Sequence, residues 1–435
     1  MPRGHSRNVW NALIYSVVAK VRALYLVTAR AGVYRQARAP LTAMTRAPTV
    51  ELDSVTLQEL IAIRHRLHAH PEIAFNETNT AELVAQELRR LDIDVHQGIA
   101  KTGVVGTLRG RRGNGRCIGL RADMDALCID ESNAFPHRSR IEGKMHACGH
   151  DGHTTMLLGA ARLLARDRDF AGEVRFIFQP AEESEGGARV MIEEGLFDRF
   201  PCDAVYAMHS APGLAVGQFA TREGPLLAAG DTWEVTFAGS GGHGAMPHLA
   251  TDPTMAAGSF ISAVSTVVAR NVPSADNAVV SIGHIQGGQY RSPNIIPSTV
   301  LVRGTARSFS VEARQILEDR LRAIAQSAGG MHGCSADYRF IRRYPPLVNH
   351  ARETAVAVTA ARRVAGGHNV NAGTGPLNGS EDFAFMLNKV PGAYVFIGNG
   401  VSSPGLHTPQ FDFNDDALPY GVVYLVNVVR EELGS

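Results

Sequence analysis

No apolar run in this chain is long. The stretches Ala12–Ala19 and Ala23–Ala29 are separated by Lys20 and Arg22, and neither approaches the ~20 apolar residues a membrane span requires. Charge of one sign is also lacking. Lys and Arg number 43 against 42 Asp and Glu, a net +1, so the chain has no basic field for nucleic acid and no acidic block. Cysteine is sparse: Cys117, Cys128, Cys148, Cys202 and Cys334 are scattered without CxxC pairing. An odd, dispersed set argues against a disulfide framework and for a reducing, cytoplasmic setting. Four of the five are expected to be small buried hydrophobes; Cys148 keeps different company. No GxGxxG run follows the first strand, which excludes a Rossmann cofactor site.

What is present is an ordinary globular composition, 45% apolar and 20% charged over 435 residues, long enough for two domains. Residues 1–50 stand apart, with eight Lys or Arg and no Asp or Glu. They read as a degenerate export signal, an organelle transit peptide, or an extension upstream of a start near Met44. From about Ser54 the pattern becomes regular. Leu57, Leu60, Ile61, Ile63 and Leu67 recur at helical spacing behind Ser54 as a candidate N-cap, and a second helix is predicted over Thr80–Leu91. Short apolar runs then end in polar clusters: Cys117–Leu120 before Arg121-Ala-Asp-Met-Asp125, Val174–Phe178 before Gln179-Pro-Ala-Glu-Glu183, Ala204–Met208 before His209, and Tyr394–Ile397 before Gly398. A helix over Thr154–Ala165 lies between them. Such alternation predicts an α/β sheet with ligands outside the carboxyl ends of its strands. Residues 228–342 read differently, as a βαββαβ-like unit inserted into the first domain. The expected organisation is an extension over 1–50, a discontinuous catalytic domain over 51–227 and 343–435, and an α+β ferredoxin-like domain over 228–342.

The densest chemical signal is Met145-His-Ala-Cys-Gly-His-Asp-Gly-His153. Cys148 and His150 lie two apart, so an extended segment would put both side chains on one side, and thiolate with imidazole suits zinc and related metals. Glu182-Glu183 follows a strand directly. One carboxylate there can hold a metal while the other stays free as a general base. His209 ends the next run, Asp123 and Asp125 the one before, where an Asp that orients a ligand is expected. A Cys148–His150 nucleophilic pair, acting without metal, remains an alternative, as does a non-catalytic binder.

Together these segments resemble the M20 metallopeptidase and aminoacylase family, in its hippurate hydrolase and auxin–amino-acid-conjugate hydrolase branch. The resemblance covers residues 55–432. It rests on His65–His70 with Pro71-Glu72, Arg121–Ala126, Met145–His153, Phe178–Glu183, Met208-His209, Gly242–Pro247, Asn294–Pro297, Gly379–Phe383 and Leu406–Pro409, in the family's order. It implies a zinc-exopeptidase type catalytic domain holding two divalent metals, zinc or manganese with cobalt or nickel as alternatives, and a lid that also forms a homodimer. The implied ligands are Cys148, His150, Glu183, His209 and His407, with Cys148 bridging. Glu182 would be the general base and acid and Asp125 the Asp beside the metal. His243 would reach across the dimer to the oxyanion, and Asn294 and Arg307 would hold the carboxylate of an N-acyl amino acid. The sequence departs from the family at Cys128, where a proline is usual, and over Glu131–Glu142 around Phe135-Pro-His-Arg138.

Overall fold

The computed structural model describes residues 52–434 except Ser184; the basic extension expected over residues 1–50 lies outside the described residues. Among the described residues no helix is long and apolar enough to cross a membrane. The chain opens with α1 (Ser54–Ala69) and α2 (Thr78–Arg90). Asp53, not Ser54, caps α1: its backbone is extended and its carboxylate accepts the Thr56 N–H at 2.8 Å. The cap therefore falls one residue earlier than expected, and Ser54 lies inside the first turn.

Next come β1 (Asp94–Ile99), β2 (Gly103–Arg109), β3 (Cys117–Asp123), α3 (His150–Asp167), β4 (Glu173–Gln179), α4 (Gly187–Glu193) and β5 (Ala204–Pro212). The segment that follows carries β6 (Ala229–Ala238), α5 (Pro253–Asn271), β7 (Ala278–Gly287), β8 (Thr299–Ser308), α6 (Val311–Met331) and β9 (Ser335–Tyr344). The chain then adds α7 (Ala351–Ala365), β10 (Gly392–Gly400) and α8 (Leu418–Leu433).

Eight strands make the large sheet, in the order β1-β2-β4-β3-β5-β10 and then the short pieces Phe219–Ala220 and Val370–Asn371. Its centre, β4-β3-β5-β10, is parallel, which explains why those strands read as unbroken apolar runs: both faces are covered. Phe176 and Phe178 join a core with Leu157 and Val422 on one face, and Ile177 between them joins Met191 and Phe383 on the other. The second sheet is antiparallel, in the order β7-β8-β6-β9. Trp233, Phe237, Phe260, Leu317 and Leu321 fill the layer between it and α5 and α6. That β-α-β-β-α-β order is ferredoxin-like. Gly304 of β8 sits under the Trp233 ring, where a Cβ would come within 2.3 Å.

The cysteines depart from expectation. Cys334 is buried, but Cys128 is exposed and Cys117 and Cys202 are only half-buried, because these three lie at strand ends or in the loop beyond β3.

Candidate metal centre

Parallel strands deliver their last residues to one edge of a sheet. Here that edge receives Asp123 from β3, Glu182 and Glu183 just past β4, and His209 from β5. Cys148 and His150 reach it from the start of α3. The expected extended segment is absent: His150 is the first residue of α3, and Gly149 before it turns with φ +89°. That left-handed step, open to glycine without strain, brings the thiol and the imidazole together. His407 arrives from the loop after β10, itself at φ 60°.

The five expected ligands converge. Cys148 Sγ lies 3.3 Å from His209 Nε2 and 3.3 Å from His407 Nε2. Glu183 Oε1 lies 3.0 Å from His407 Nε2 and 3.8 Å from His150 Nε2. Donor atoms of Cys148, His150 and His209 form one triad within 4.8 Å, and those of Cys148, Glu183 and His407 form another. Cys148 is common to both.

The surrounding hydrogen bonds decide which nitrogens are free. His209 Nδ1 donates to the Ser210 carbonyl at 2.8 Å, leaving Nε2 with its lone pair toward Cys148. His150 Nδ1 donates to Asp125 Oδ1 at 3.2 Å, and its buried Nε2 has no hydrogen-bond partner. A carboxylate or carbonyl behind each imidazole is the arrangement that fixes a metal-binding tautomer. Asp125 also accepts the Glu183 N–H at 3.0 Å. His153 is different. Its Nδ1 donates to Asp123 at 2.7 Å and its Nε2 accepts the Ser210 N–H at 2.9 Å, so neither nitrogen is available.

The electrostatics favour a cation at this place. Burial disfavours a charged His150, yet Asp123, Asp125 and Glu183 together push it up to about 10. Burial, followed by the Glu183 and Glu182 charges, drives the Cys148 thiol well above its ordinary range. That is the reverse of an activated nucleophile. The soft thiolate, two imidazoles with bare nitrogens and an adjacent carboxylate suit divalent metal.

Glu182 stands beside this group. Burial, then the neighbouring Glu381, Glu183 and Asp382 charges, raise its carboxyl well above the usual range. Its Oε1 accepts the Asp382 N–H at 3.4 Å, and its backbone carbonyl accepts the Tyr344 hydroxyl at 2.5 Å. Behind it the fully buried Arg121 binds Asp123 at 2.7 Å, Glu381 at 3.0 Å and Asp382 at 3.1 Å. Sequence reasoning assigned no role to Arg121, Glu381, Asp382 or Tyr344. The only signal available was that three of them lie within the matched motifs.

The remaining expected residues lie apart from the cluster. His243 is exposed and pairs across a two-residue ladder with Ile295, next to the exposed Asn294. Its Nδ1 accepts the Ala245 N–H at 3.0 Å. Arg307 on β8 is half-buried, and its guanidinium donates to the Ala306 carbonyl at 3.0 Å. Among the described residues no hydrogen bond or ion pair joins these three to the cluster.

Comparison with known proteins agrees with this geometry. The chain is 40% identical over 374 residues to an N-acetylcysteine deacetylase of Bacillus subtilis, covering 85% of this chain and 95% of that protein. It is 38% identical to the hippurate hydrolase of Campylobacter jejuni, over 86% and 97%. With an Arabidopsis thaliana IAA-amino acid hydrolase the identity is 37%, over 83% of each. A solved dinuclear metal-binding peptidase of the M20 family from Bacillus subtilis superposes with a TM-score of 0.77 at 34% identity, covering 87% of this chain and 98% of that one. The sequence profile of peptidase family M20/M25/M40 matches residues 119–431. With most of its length matched in sequence and in fold, this chain belongs to peptidase family M20/M25/M40.

Proposed function

We propose that the protein is a metal-dependent amidohydrolase that cleaves the amide bond of N-acyl amino acids, releasing a carboxylic acid and a free amino acid. One observation carries the reading: Cys148 is shared by two ligand triads drawn from separate parts of the chain, with the Glu182 carboxyl, outside both triads, beside them. The relatives named for acetylcysteine, hippurate and auxin conjugates all act on this substrate class. Cys148, His150 and His209 would hold one divalent ion and Cys148, Glu183 and His407 a second. Zinc suits the thiolate best, with manganese, cobalt or nickel as alternatives. Bound there, the ions would polarise the amide carbonyl and acidify water.

The protein's own groups do the rest. Asp125 holds His150 and the Glu183 backbone in place. Glu182, kept ionised by the charge of cations held beside it, takes a proton from the attacking water and delivers it to the departing amine nitrogen. His243, from a partner subunit of a homodimer, stabilises the oxyanion, and Asn294 and Arg307 anchor the substrate carboxylate, for which a guanidinium fork is suited. Residues 51–227 and 343–435 form the catalytic domain and 228–342 the lid. The test is Glu182→Gln, assayed on hippurate and on N-acetyl amino acids. Turnover should fall by roughly 10²–10⁴ while metal content, measured by elemental analysis, stays near normal. Full activity in that variant rejects the assignment.

A further inference from the structure

Two half-buried thiols meet at the opposite end of the sheet. Cys117 opens β3, and Cys202 stands two residues ahead of β5. The backbone ties the two places together: the Asp203 N–H donates to the Cys117 carbonyl at 2.7 Å, and the Cys117 N–H donates to the Asp203 carboxylate at 2.8 Å. A Cβ on Gly119 would lie 3.2 Å from the Cys202 sulfur. Gly119 and Cys117 are two apart on one strand and share a face, so the Cys202 sulfur lies over the face from which Cys117 projects. The Cys202 thiol itself donates to the Phe200 carbonyl at 3.5 Å. Asp203 is the residue held opposite Cys117, so Cys202 stands one residue out of register with it.

Cys117 also lines a cavity of about 430 Å³ walled by Arg109, Gly110, Gly113, Gly115 and Glu173. Gly113 has open space where a Cβ would stand in that wall, and Cys117 beside it is half-buried. The pair is polarised as well. The neighbouring Cys202 thiol, aided by the Arg175 charge and opposed by burial, lowers the Cys117 thiol, while Cys117 and then burial raise Cys202. Of the two, Cys117 lines the cavity and Cys202 does not, so Cys117 is the one a small oxidant meets first.

We propose that Cys117 and Cys202 form a peroxide-responsive dithiol, with Cys117 oxidised first and Cys202 closing a disulfide between β3 and the entry to β5. In the first step Cys117 sulfur attacks one peroxide oxygen, the O–O bond breaks, and a sulfenic acid and one water form. In the second, Cys202 sulfur attacks the sulfenic sulfur, the S–S bond forms, the S–O bond breaks, and a second water leaves. Two thiols are oxidised by two electrons and one peroxide is reduced. A transient disulfide of this type is compatible with a reducing compartment. Asp123, at the other end of β3, is six residues away or ~20 Å along the strand, so the cross-link does not touch the metal-binding edge.

The test treats the metal-loaded full chain with a few equivalents of hydrogen peroxide, quenches it, alkylates free thiols and maps peptides by mass spectrometry without reductant. The expected result is the loss of two of the five alkylatable cysteines, recovered as one peptide pair joining Cys117 to Cys202. The unfolding midpoint of the oxidised protein should rise. Cys202→Ser should give no linked pair and no rise, and should yield a dimedone adduct on Cys117. Undiminished alkylation of both residues after peroxide, a bridge from Cys117 to Cys128, or a dimedone adduct on Cys202 in Cys117→Ser without one on Cys117 in Cys202→Ser would overturn the proposal. The wild-type peptide map decides the question even if a variant folds poorly.

Discussion

Asp125 shows how much one carboxylate organises. Its two oxygens are divided between His150 Nδ1 and the Glu183 backbone N–H, so it orients candidate ligands on two separate elements. Asn at this position offers one acceptor where two donors need one. Asp125→Asn should weaken metal binding by roughly 10–100-fold, measured by competition with a chromophoric chelator; unchanged affinity would mean the carboxylate orients nothing. At this scale the sequence was legible wherever chemistry is locally dense. Three His, one Cys and one Asp in nine residues announce themselves, as does a Glu pair behind an apolar run. Arg121 does not. Its partners Glu381 and Asp382 lie 260 and 261 residues downstream, and nothing in its neighbourhood indicates that it compensates buried carboxylates. His153 misleads in the other direction, since a histidine in the densest cluster proves to have both nitrogens occupied.

Between β4 and α4 the chain must turn sharply while presenting Glu182 and Glu183. Ala181 adopts φ 54°, and a Cβ on Gly187 would lie 1.7 Å from the Pro180 carbonyl oxygen. Backbone cannot yield as a side-chain tip does. Gly187→Ala should therefore destabilise the fold by about 1–3 kcal/mol and displace the Glu pair, lowering both the unfolding midpoint and kcat. A variant with wild-type values for both would show that the turn is free to relax. Elements as such were legible: apolar periodicity marks α1, α5 and α6, and unbroken apolar runs mark β3, β4 and β5. Their ends were not. The cap moved to Asp53 and the metal loop entered a helix because terminal geometry depends on single backbone angles, such as that of Gly149, which no periodicity encodes.

Across the whole molecule the C-terminal helix is locked by charge. Glu432 of α8 meets Arg352 of α7 at 2.7 Å, Tyr206 of β5, and Arg116 ahead of β3. Burial opposes ionisation, but the hydrogen bonds from Arg352 and Tyr206 and the two guanidinium charges hold the Glu432 carboxyl below its usual range. A depressed folded value contributes stability above the unfolded carboxyl pKa of ~4.3, lost as pH falls through the folded value. The unfolding midpoint should therefore drop as pH falls below about 4.3, and less steeply in Arg352→Ala; parallel curves would remove the network from the account. Metal removal acts on the same global scale. The proposed ligands come from four places in the chain, so chelation should lower the unfolding midpoint and abolish turnover, and metal add-back should restore both. The His407 side chain is 51% exposed, Glu183 12% and His150 0%. Traffic of ions would therefore be unequal: a seat completed by His407 would open to solvent and exchange quickly, while one between Cys148, His150 and His209 would be closed off. Loading should be stepwise, and dilute chelator should strip one equivalent long before the other.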